Sequence, residues 1–181
     1  MSGIRAKPEV PPTREELPDG TAILVRPIRP GDEPAWLDLL ASCSAESIYA
    51  RFQSFYPWRA PGTARRFCSP EAGEVALVAE RPAGEGAGLL GVGRLVPEGA
   101  PGCGEYALLV RDEWQNRGVG GVLTGRCLAI AARLGLRRVV SRTTTDNGRM
   151  LTLLRRHGFV ISRPGPGGEA EGVWAASPEG S

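Results

Sequence analysis

A glycine-rich turn between a predicted strand and a predicted helix carries the clearest chemical signal in the sequence. In QNRGVGG, residues 115–121, Gln115, Gly118 and Gly120 form the pattern Q-x-x-G-x-G. Each glycine weakens a helix by about 1 kcal/mol relative to alanine, so helix stability does not explain this placement. The first turn of a helix has free N–H groups and a partial positive charge, and glycines let a phosphate approach the backbone closely. The turn therefore predicts a phosphate site.

Two familiar nucleotide-binding loops do not match this turn. A P-loop requires lysine and then serine or threonine after its second glycine, whereas Gly125 is followed by Arg126 and Cys127. A dinucleotide fingerprint requires a further glycine where Leu123 stands. Charge still favours an anionic ligand, because residues 111–163 carry 11 basic and 3 acidic side chains, against 11 and 14 in residues 1–110. Such a basic half attracts nucleic acid or a polyphosphate small molecule.

The bulk composition is that of a soluble globular protein, with 41% hydrophobic and 23% charged residues in 181. We predict a disordered N-terminal tail over residues 1–20, one domain over residues 21–176 and a C-terminal tail over residues 177–181. The N-terminus has no apolar signal core, and no run approaches the ~18 apolar residues of a membrane span. We therefore expect a cytoplasmic protein with no membrane partner.

The metal-binding and redox residues are few and scattered. The four cysteines (Cys43, Cys68, Cys103 and Cys127) include no CxxC pair, so we expect reduced thiols and no metal site. The one histidine, His157, falls in the last turn of a predicted helix, where an imidazolium meets the negative end of the helix dipole. A structural role is predicted for it.

The element pattern predicts a mixed α/β fold of order βαα-βββ-α-β-α-ββ. A strand at 21–28 precedes two short helices that begin at Asp32 and Ser44, and possible strands follow at 74–80, 88–96 and 104–111. A helix at 122–134 then places Leu123, Cys127 and Ile130 on one face. A buried strand, a helix capped by Asp146 or Asn147, and a final hairpin complete the order.

The segment EYALLVRDEWQNRGVG resembles the acyl-coenzyme A loop of the GCN5-related N-acetyltransferases (GNAT), usually written [QR]-x-x-G-x-[GA]. Asn147 and the later Gly158-Phe159 pair match the same family, and the resemblance covers roughly Ala22 to Ala176. It implies a mostly antiparallel central sheet flanked by helices, with the cofactor's pantetheine arm on the strand and its pyrophosphate at the next helix. The residues that the resemblance assigns to acetyl-coenzyme A are Leu109, Val110, Gln115, Asn116, Arg117, Gly118, Val119, Gly120 and Asn147. Arg117, Arg126 and Arg149 are candidate phosphate contacts.

Acetyl transfer from a thioester to an amine requires loss of an amine proton, since a lysine ammonium has a pKa of about 10.4. The resemblance assigns the family's carboxylate base to Glu105, acting directly or through a water; an ordinary solvent-facing glutamate is the alternative. A backbone N–H near Leu109 or Val110 would stabilise the oxyanion if the strand separates from its neighbour, typically at a bulge. Many relatives carry a tyrosine as general acid where Leu154 stands. Two alternatives follow: solvent protonates the thiolate, or the protein is a poor catalyst.

Two further segments, LVRPIRPGDEPAW and SAESIYARF, are similar to the catalytic domain of bacterial protein lysine acetyltransferases of the Pat type. The resemblance implies an acetyl-coenzyme A-dependent enzyme that acetylates a protein lysine. We expect no metal, and the sequence leaves open whether the protein forms a homodimer. The alternatives are an enzyme for a small amine and a non-catalytic acyl-coenzyme A-binding module. Nucleic-acid binding is disfavoured, because few aromatic residues are interleaved with the arginines.

Overall fold

One eight-stranded sheet with helices on both faces forms the body of the protein. The computed structural model describes residues 10–53, 57–82, 88–162, 165 and 167–176. The strands are β1 (Thr13–Glu16), β2 (Ala22–Pro27), β3 (Val75–Glu80), β4 (Leu89–Pro97), β5 (Cys103–Val110), β6 (Arg138–Thr144), β7 (Val160–Ile161) and β8 (Glu169–Ala175). The helices are α1 (Glu33–Ala41), α2 (Ala45–Phe52), α3 (Thr63–Cys68), α4 (Val119–Arg133) and α5 (Gly148–Arg156), with 3₁₀ turns at Pro30–Asp32 and Asp112–Trp114.

The strand order in the sheet is β1-β2-β3-β4-β5-β6-β8-β7. Every neighbouring pair is antiparallel except β5 and β6, which are parallel. The predicted mixed, mostly antiparallel sheet flanked by helices is therefore confirmed.

The N-terminal strand β1 is the main departure from the predicted order. It pairs antiparallel with β2, with Thr13 opposite Val25 and Glu16 opposite Ala22. The prediction of a disordered tail over residues 1–20 is therefore wrong for residues 13–16, while residues 1–9 and the predicted tail at 177–181 lie outside the described residues. The sequence of β1, TREE, shows no apolar alternation because the strand lies at the sheet edge, where its stability comes from pairing with β2.

The two faces of the sheet are covered by separate apolar clusters. On one face, Leu123, Cys127 and Ile130 of α4 are buried, as their spacing predicts. On the other face, Trp36 of α1 is buried and stacks on Phe67 of α3, with ring centroids 4.9 Å apart. Helices therefore shield both surfaces of the central strands, which leaves the strand ends as places for a site.

Three predicted helix starts show how local sequence positions the helices. Ser44 caps α2, and its Oγ accepts from the N–H of Ser47 at 3.2 Å. Asn147 caps α5 in the same way, through the N–H of Met150 at 3.1 Å. Asp32 occupies the cap position of α1, but its carboxylate makes no capping bond to that helix and accepts instead from the Arg26 guanidinium.

The parallel pair β5 and β6 opens toward its C-terminal end. Pairing covers only Cys103–Glu105 of β5 and residues 138–140 of β6, after which the two strands diverge. On its other side β5 keeps an unbroken register with β4, from Gly104 opposite Pro97 to Val110 opposite Gly91. The separation that the site requires therefore arises from divergence of β6, and the β4–β5 ladder contains no register shift.

Candidate functional site

A cleft opens where β5 and β6 diverge. Its lining comes from the end of β5, the second half of β6, α2, the glycine-rich turn before α4, and α5. It encloses about 1290 Å³, which exceeds the roughly 300–1,000 Å³ of pockets for drug-sized ligands. The cleft can therefore accommodate a long ligand whose two ends contact different elements.

The free edge of β5 presents backbone N–H groups to this cleft. The N–H of Arg111 donates to the carbonyl of Leu90 on β4 at 2.8 Å. Residues that bond to one neighbour alternate along an antiparallel ladder, so Leu109 also directs its N–H toward β4. The N–H groups of Leu108 and Val110 consequently point to the open side. Of the two expected oxyanion donors, Val110 faces the cleft with its N–H, whereas Leu109 lines it with other atoms.

Gln115 fixes the turn to three other elements. Its Nε2 lies 3.1 Å from each of three acceptors: the carbonyl of Val110, Oδ1 of Asp112 and Oγ of Ser47. Its Oε1 accepts from the guanidinium of Arg149 on α5 at 2.6 Å. The side chain therefore holds the end of β5, α2 and α5 around the glycine-rich turn, which gives the first residue of the Q-x-x-G-x-G pattern a positioning role.

The turn ends at the N-terminus of α4, which has no side-chain cap. Asn116 and Gly118 have positive φ values of 58° and 102°, and Gly118 is the cap residue. The N–H of Val122 donates back to Gly118, whereas the N–H groups of the first three helical residues, 119–121, precede any intrahelical acceptor. Val119 buries its side chain completely, so only its backbone can face a ligand. This end of α4 is suited to an anion.

Two of the three candidate arginines do not line the cleft. Arg117 pairs with Asp19 at 2.8 Å, and its guanidinium lies 4.0 Å above the ring of Trp114. Arg126 pairs with Glu15 of β1. Both side chains therefore bind the N-terminal segment, whereas the sequence predicts a disordered tail over residues 1–20.

Other arginines line the cleft in addition to the candidate Arg149. Arg149 lines it, as expected, together with Arg51 of α2, Arg142 of β6 and Arg156 of α5. Arg51 and Arg142 lie on elements that the glycine-rich turn does not adjoin in sequence, whereas Arg156 lies on the same helix as Arg149, seven residues later. Arg142, Arg149 and Arg156 account for part of the positive charge of residues 111–163.

Glu105 lies at the base of the cleft and is not part of its lining. It belongs to the last pair between β5 and β6, opposite Val140. Its Oε2 is 3.2 Å from NH1 of Arg142, which does line the cleft and which also pairs with Glu98 at 2.8 Å. The side chain of Glu105 is 40% exposed, so water reaches it.

Both ends of α5 contribute residues to the wall of the cleft. Asn147 lines the cleft while it caps the helix. His157, expected to have a structural role, also lines the cleft and lies against α4: a Cβ at Gly121 would be 3.7 Å from its Nε2. Burial lowers the pKa of His157 below its ordinary value. An anion near this ring would favour the protonated form.

Neither a metal-binding cluster nor a membrane-spanning helix occurs in the part of the chain that the structure describes. No group of three or more histidine, cysteine, aspartate or glutamate side chains in them is placed to hold a metal ion. No helix within the described ranges is both long and apolar enough to cross a membrane.

Comparison with known proteins gave consistent matches. A family model described as an acetyltransferase (GNAT) domain matches residues 22–160. The chain is 30% identical over 159 residues to acetyltransferase Pat of Mycolicibacterium smegmatis, which covers 85% of this chain and 46% of that protein. The chain thus spans about half the length of this relative.

Solved structures show the same similarity. The GNAT domain of S. lividans PAT aligns with a TM-score of 0.82 at 27% identity, over 93% of this chain and all of that one. The cAMP-binding acyltransferase from Mycobacterium smegmatis aligns with a TM-score of 0.63 at 27% identity, over 93% of this chain and 48% of that one.

Proposed function

This chain belongs to the GNAT family of acetyltransferases, and on that premise we propose that it acetylates a protein lysine with acetyl-coenzyme A. The observation that carries the proposal is the cleft between β5 and β6, which joins the open end of α4 to a free strand edge. Similarity to the Pat acetyltransferase supports a protein acceptor.

The residues of the cleft fit coenzyme A. The N–H groups at 119–121 would hold its pyrophosphate, with Arg149 and Arg156 of α5 as lining cations. The free edge of β5 would pair with the pantetheine amides, and the N–H of Val110 would stabilise the oxyanion. Asn147 lines the same path. Bound in this way, acetyl-coenzyme A supplies the activated acetyl group.

Glu105 is our proposed base for the amine. Because it lies at the base of the cleft and is 40% exposed, it would accept the proton through a water. Arg142, which contacts Glu105 and lines the cleft, links the carboxylate to the reaction site and orients it. These side chains would act on the amine while Val110 acts on the thioester carbonyl.

We further propose that one acetyltransferase domain extends from β1 to β8 and that it works in a reducing, cytoplasmic compartment. The first part is supported by the single sheet that joins all eight strands. The second is supported by the four cysteines, all of which are free.

A panel assay tests the proposed function. Purified protein is incubated with acetyl-coenzyme A and either bacterial proteins or small amines, thiol release is followed, and acetyl-lysine is identified by mass spectrometry. We expect thiol release that depends on protein acceptors. Release with small amines alone would instead support a small-molecule acetyltransferase.

A non-catalytic acyl-coenzyme A-binding module is the second candidate. Two observations favour it: Leu154 is buried where many relatives carry a tyrosine acid, and Glu105 does not line the cleft. This candidate predicts tight coenzyme A binding in calorimetry and no thiol release with any acceptor in the panel.

Gly120→Val is expected to weaken coenzyme A binding by roughly ten- to a hundredfold. A Cβ at this position would lie 3.1 Å from Cδ2 of Leu108 and 3.4 Å from Cδ2 of Leu153, so a valine must spread toward the cleft. The branched side chain would separate the phosphate from the α4 N–H groups. Isothermal titration calorimetry with coenzyme A measures the change.

The matched control for this variant is Gly31→Val, where a Cβ meets nothing within 4 Å and the residue lies far from the cleft in the 3₁₀ turn. It should bind coenzyme A like the unmodified protein. Unchanged affinity in Gly120→Val would contradict the phosphate site at α4.

Binding of coenzyme A should tighten by about three- to tenfold as pH falls from 7.5 to 5.5, through His157. Burial holds the pKa of the free imidazole below 6.5, and a neighbouring pyrophosphate would raise it. Because the complex then binds the proton more tightly than the free protein, lower pH favours the complex. Calorimetry at both pH values and NMR titration of this histidine measure the effect.

His157→Gln is the control, since it keeps a polar side chain without the titration. The pH dependence that remains in this variant belongs to the ligand's own phosphate. Equal pH dependence in the two proteins would show that His157 does not sense the bound anion.

A further inference from the structure

Two hydroxyl groups of β6 are buried in the cleft wall without a partner. Ser141 is 0% exposed and Thr143 is 2% exposed, and both residues line the cleft. Neither Oγ of Ser141 nor Oγ1 of Thr143 makes a hydrogen bond to any of the residues that the structure describes. Buried polar atoms in proteins are nearly always hydrogen-bonded. Two buried hydroxyls without a partner in a binding cleft therefore indicate that polar atoms of a ligand bind there.

The two hydroxyls lie just beyond the point where β6 diverges from β5. Glu105 and Val140 form the last pair between β5 and β6, so Ser141 is the first residue beyond the point of divergence. Thr143 follows two residues later on the same face of the strand. The two hydroxyls therefore mark a line that starts at the narrow end of the cleft and runs toward its mouth.

That line lies on the side of the sheet covered by α4. Val139, on the same face of β6 as Ser141, belongs to the apolar cluster that α4 completes. Across the cleft, Leu108 of β5 packs into this cluster and approaches Gly120 in the first turn of α4. The hydroxyls therefore face the part of the cleft that connects the narrow end with the proposed phosphate site.

We propose that the Ser141 hydroxyl donates a hydrogen bond to the sulfur of coenzyme A and that the Thr143 hydroxyl binds an amide of its pantetheine arm. The proposal rests on the proposed function, because it adds contacts to the same site. It also gives the departing sulfur a donor, where the buried side chain of Leu154 can supply none.

The chemistry balances without a further reactant. The ammonium loses one proton to Glu105 through water, its nitrogen bonds to the acetyl carbon, the carbon–sulfur bond breaks, the electron pair remains on sulfur, and the nitrogen gives its second proton to solvent water. Ser141 stabilises this thiolate but keeps its own proton, because an alcohol is far less acidic than a thiol of pKa about 8.5. Water then protonates the thiolate.

Stability of the ligand-free protein provides the first test. Since neither hydroxyl has a partner in the fold, Ser141→Ala and Thr143→Val should unfold at the same urea concentration as the unmodified protein, or at a higher one. A clearly lower midpoint for both variants would show that the hydroxyls are bonded within the fold, which would overturn the proposal.

Binding provides the second test and does not depend on turnover. At pH 9, above the pKa of about 8.5 of a cysteine thiol, the unmodified protein should bind coenzyme A about three- to tenfold more tightly than desulfo-coenzyme A. Ser141→Ala should lose this preference, and Ser141→Thr should restore it in part. Thr143→Val should keep the preference and bind both ligands more weakly.

Turnover provides the third test. Ser141→Ala should lower kcat roughly ten- to a hundredfold, as expected for a hydrogen bond to a charged group, with little change in KM. A variant that keeps both the sulfur preference and kcat overturns the assignment of Ser141. If the unmodified protein shows the preference but acetylates nothing, the proposed function fails and the sulfur contact stands.

Discussion

Glu105→Gln is expected to lower kcat roughly 10²- to 10⁴-fold, while the Kd for coenzyme A changes by less than about twofold. The range is the usual contribution of a positioned general base. Glutamine keeps the size of the side chain and can still contact Arg142, so the substitution removes the proton acceptor and little else. Steady-state thiol release with the best acceptor, together with calorimetry, measures both quantities.

Raising the pH should recover part of this activity. A lysine ammonium has a pKa of about 10.4, so between pH 7 and pH 10 the fraction of free amine rises by nearly three orders of magnitude. The variant no longer has a base and therefore follows that rise, whereas the unmodified enzyme gains less. A log kcat/KM plot against pH with a slope near one for Glu105→Gln is the expected signature.

Glu98→Gln is the matched control. Glu98 and Glu105 pair with the same atom of Arg142, at 2.8 Å and 3.2 Å, and neither lines the cleft. Only Glu105 belongs to the last pair before β5 and β6 diverge. If both substitutions reduce kcat equally, the loss comes from a disturbed Arg142. If Glu105→Gln turns over normally, the base assignment is wrong.

The sequence predicted the parts of the site that depend on local rules. Gly118 and Gly120 lie two residues apart, and their expected roles follow from helix-end geometry and from the space that a missing Cβ leaves. Asn147 likewise caps the helix that its position predicts. The two glycines and Asn147 act within a few positions of themselves, so one segment of sequence contains the necessary information. Gln115 belongs to the same motif but acts through hydrogen bonds to Ser47 and Arg149, which local rules do not predict.

The parts that the sequence did not predict depend on distant contacts. Ser141 and Thr143 read as ordinary members of a buried strand, and they become unusual only because β6 leaves β5 after three pairs. Arg117 is a candidate phosphate contact by sequence, yet it pairs with Asp19 and does not line the cleft. That ion pair requires the N-terminal segment to dock on the sheet, which its polar sequence did not reveal.

Away from the cleft, the largest stability effect is expected at Glu74. Its carboxylate and the guanidinium of Arg94 are each only 6% exposed and lie 2.8 Å apart. Glu74 also accepts from Arg66, and Arg94 donates to the carbonyl of Phe67 on α3. These contacts therefore connect α3 to the start of β3 and to β4.

Glu74→Gln should lower the free energy of unfolding by about 3–5 kcal/mol, because it leaves the Arg94 charge buried without a counter-ion. Burial already lowers the pKa of Arg94, which shows how unfavourable that charge is in this position. Urea denaturation followed by circular dichroism measures the change. The control Glu71→Gln alters a 70% exposed partner of Arg66 and should cost less than about 0.5 kcal/mol.

The stability that Glu74→Gln loses relative to the unmodified protein should become smaller as the pH falls. The hydrogen bond from Arg66 lowers the pKa of Glu74 below its ordinary value of 4.5. The unfolded chain therefore binds the proton first, so this contribution is complete above pH 4.5 and disappears as pH falls through the folded pKa. Urea midpoints of the two proteins should converge in acid. A difference between the two urea midpoints that stays constant from pH 7 into acid would show that the buried carboxylate is not the ionised partner of Arg94.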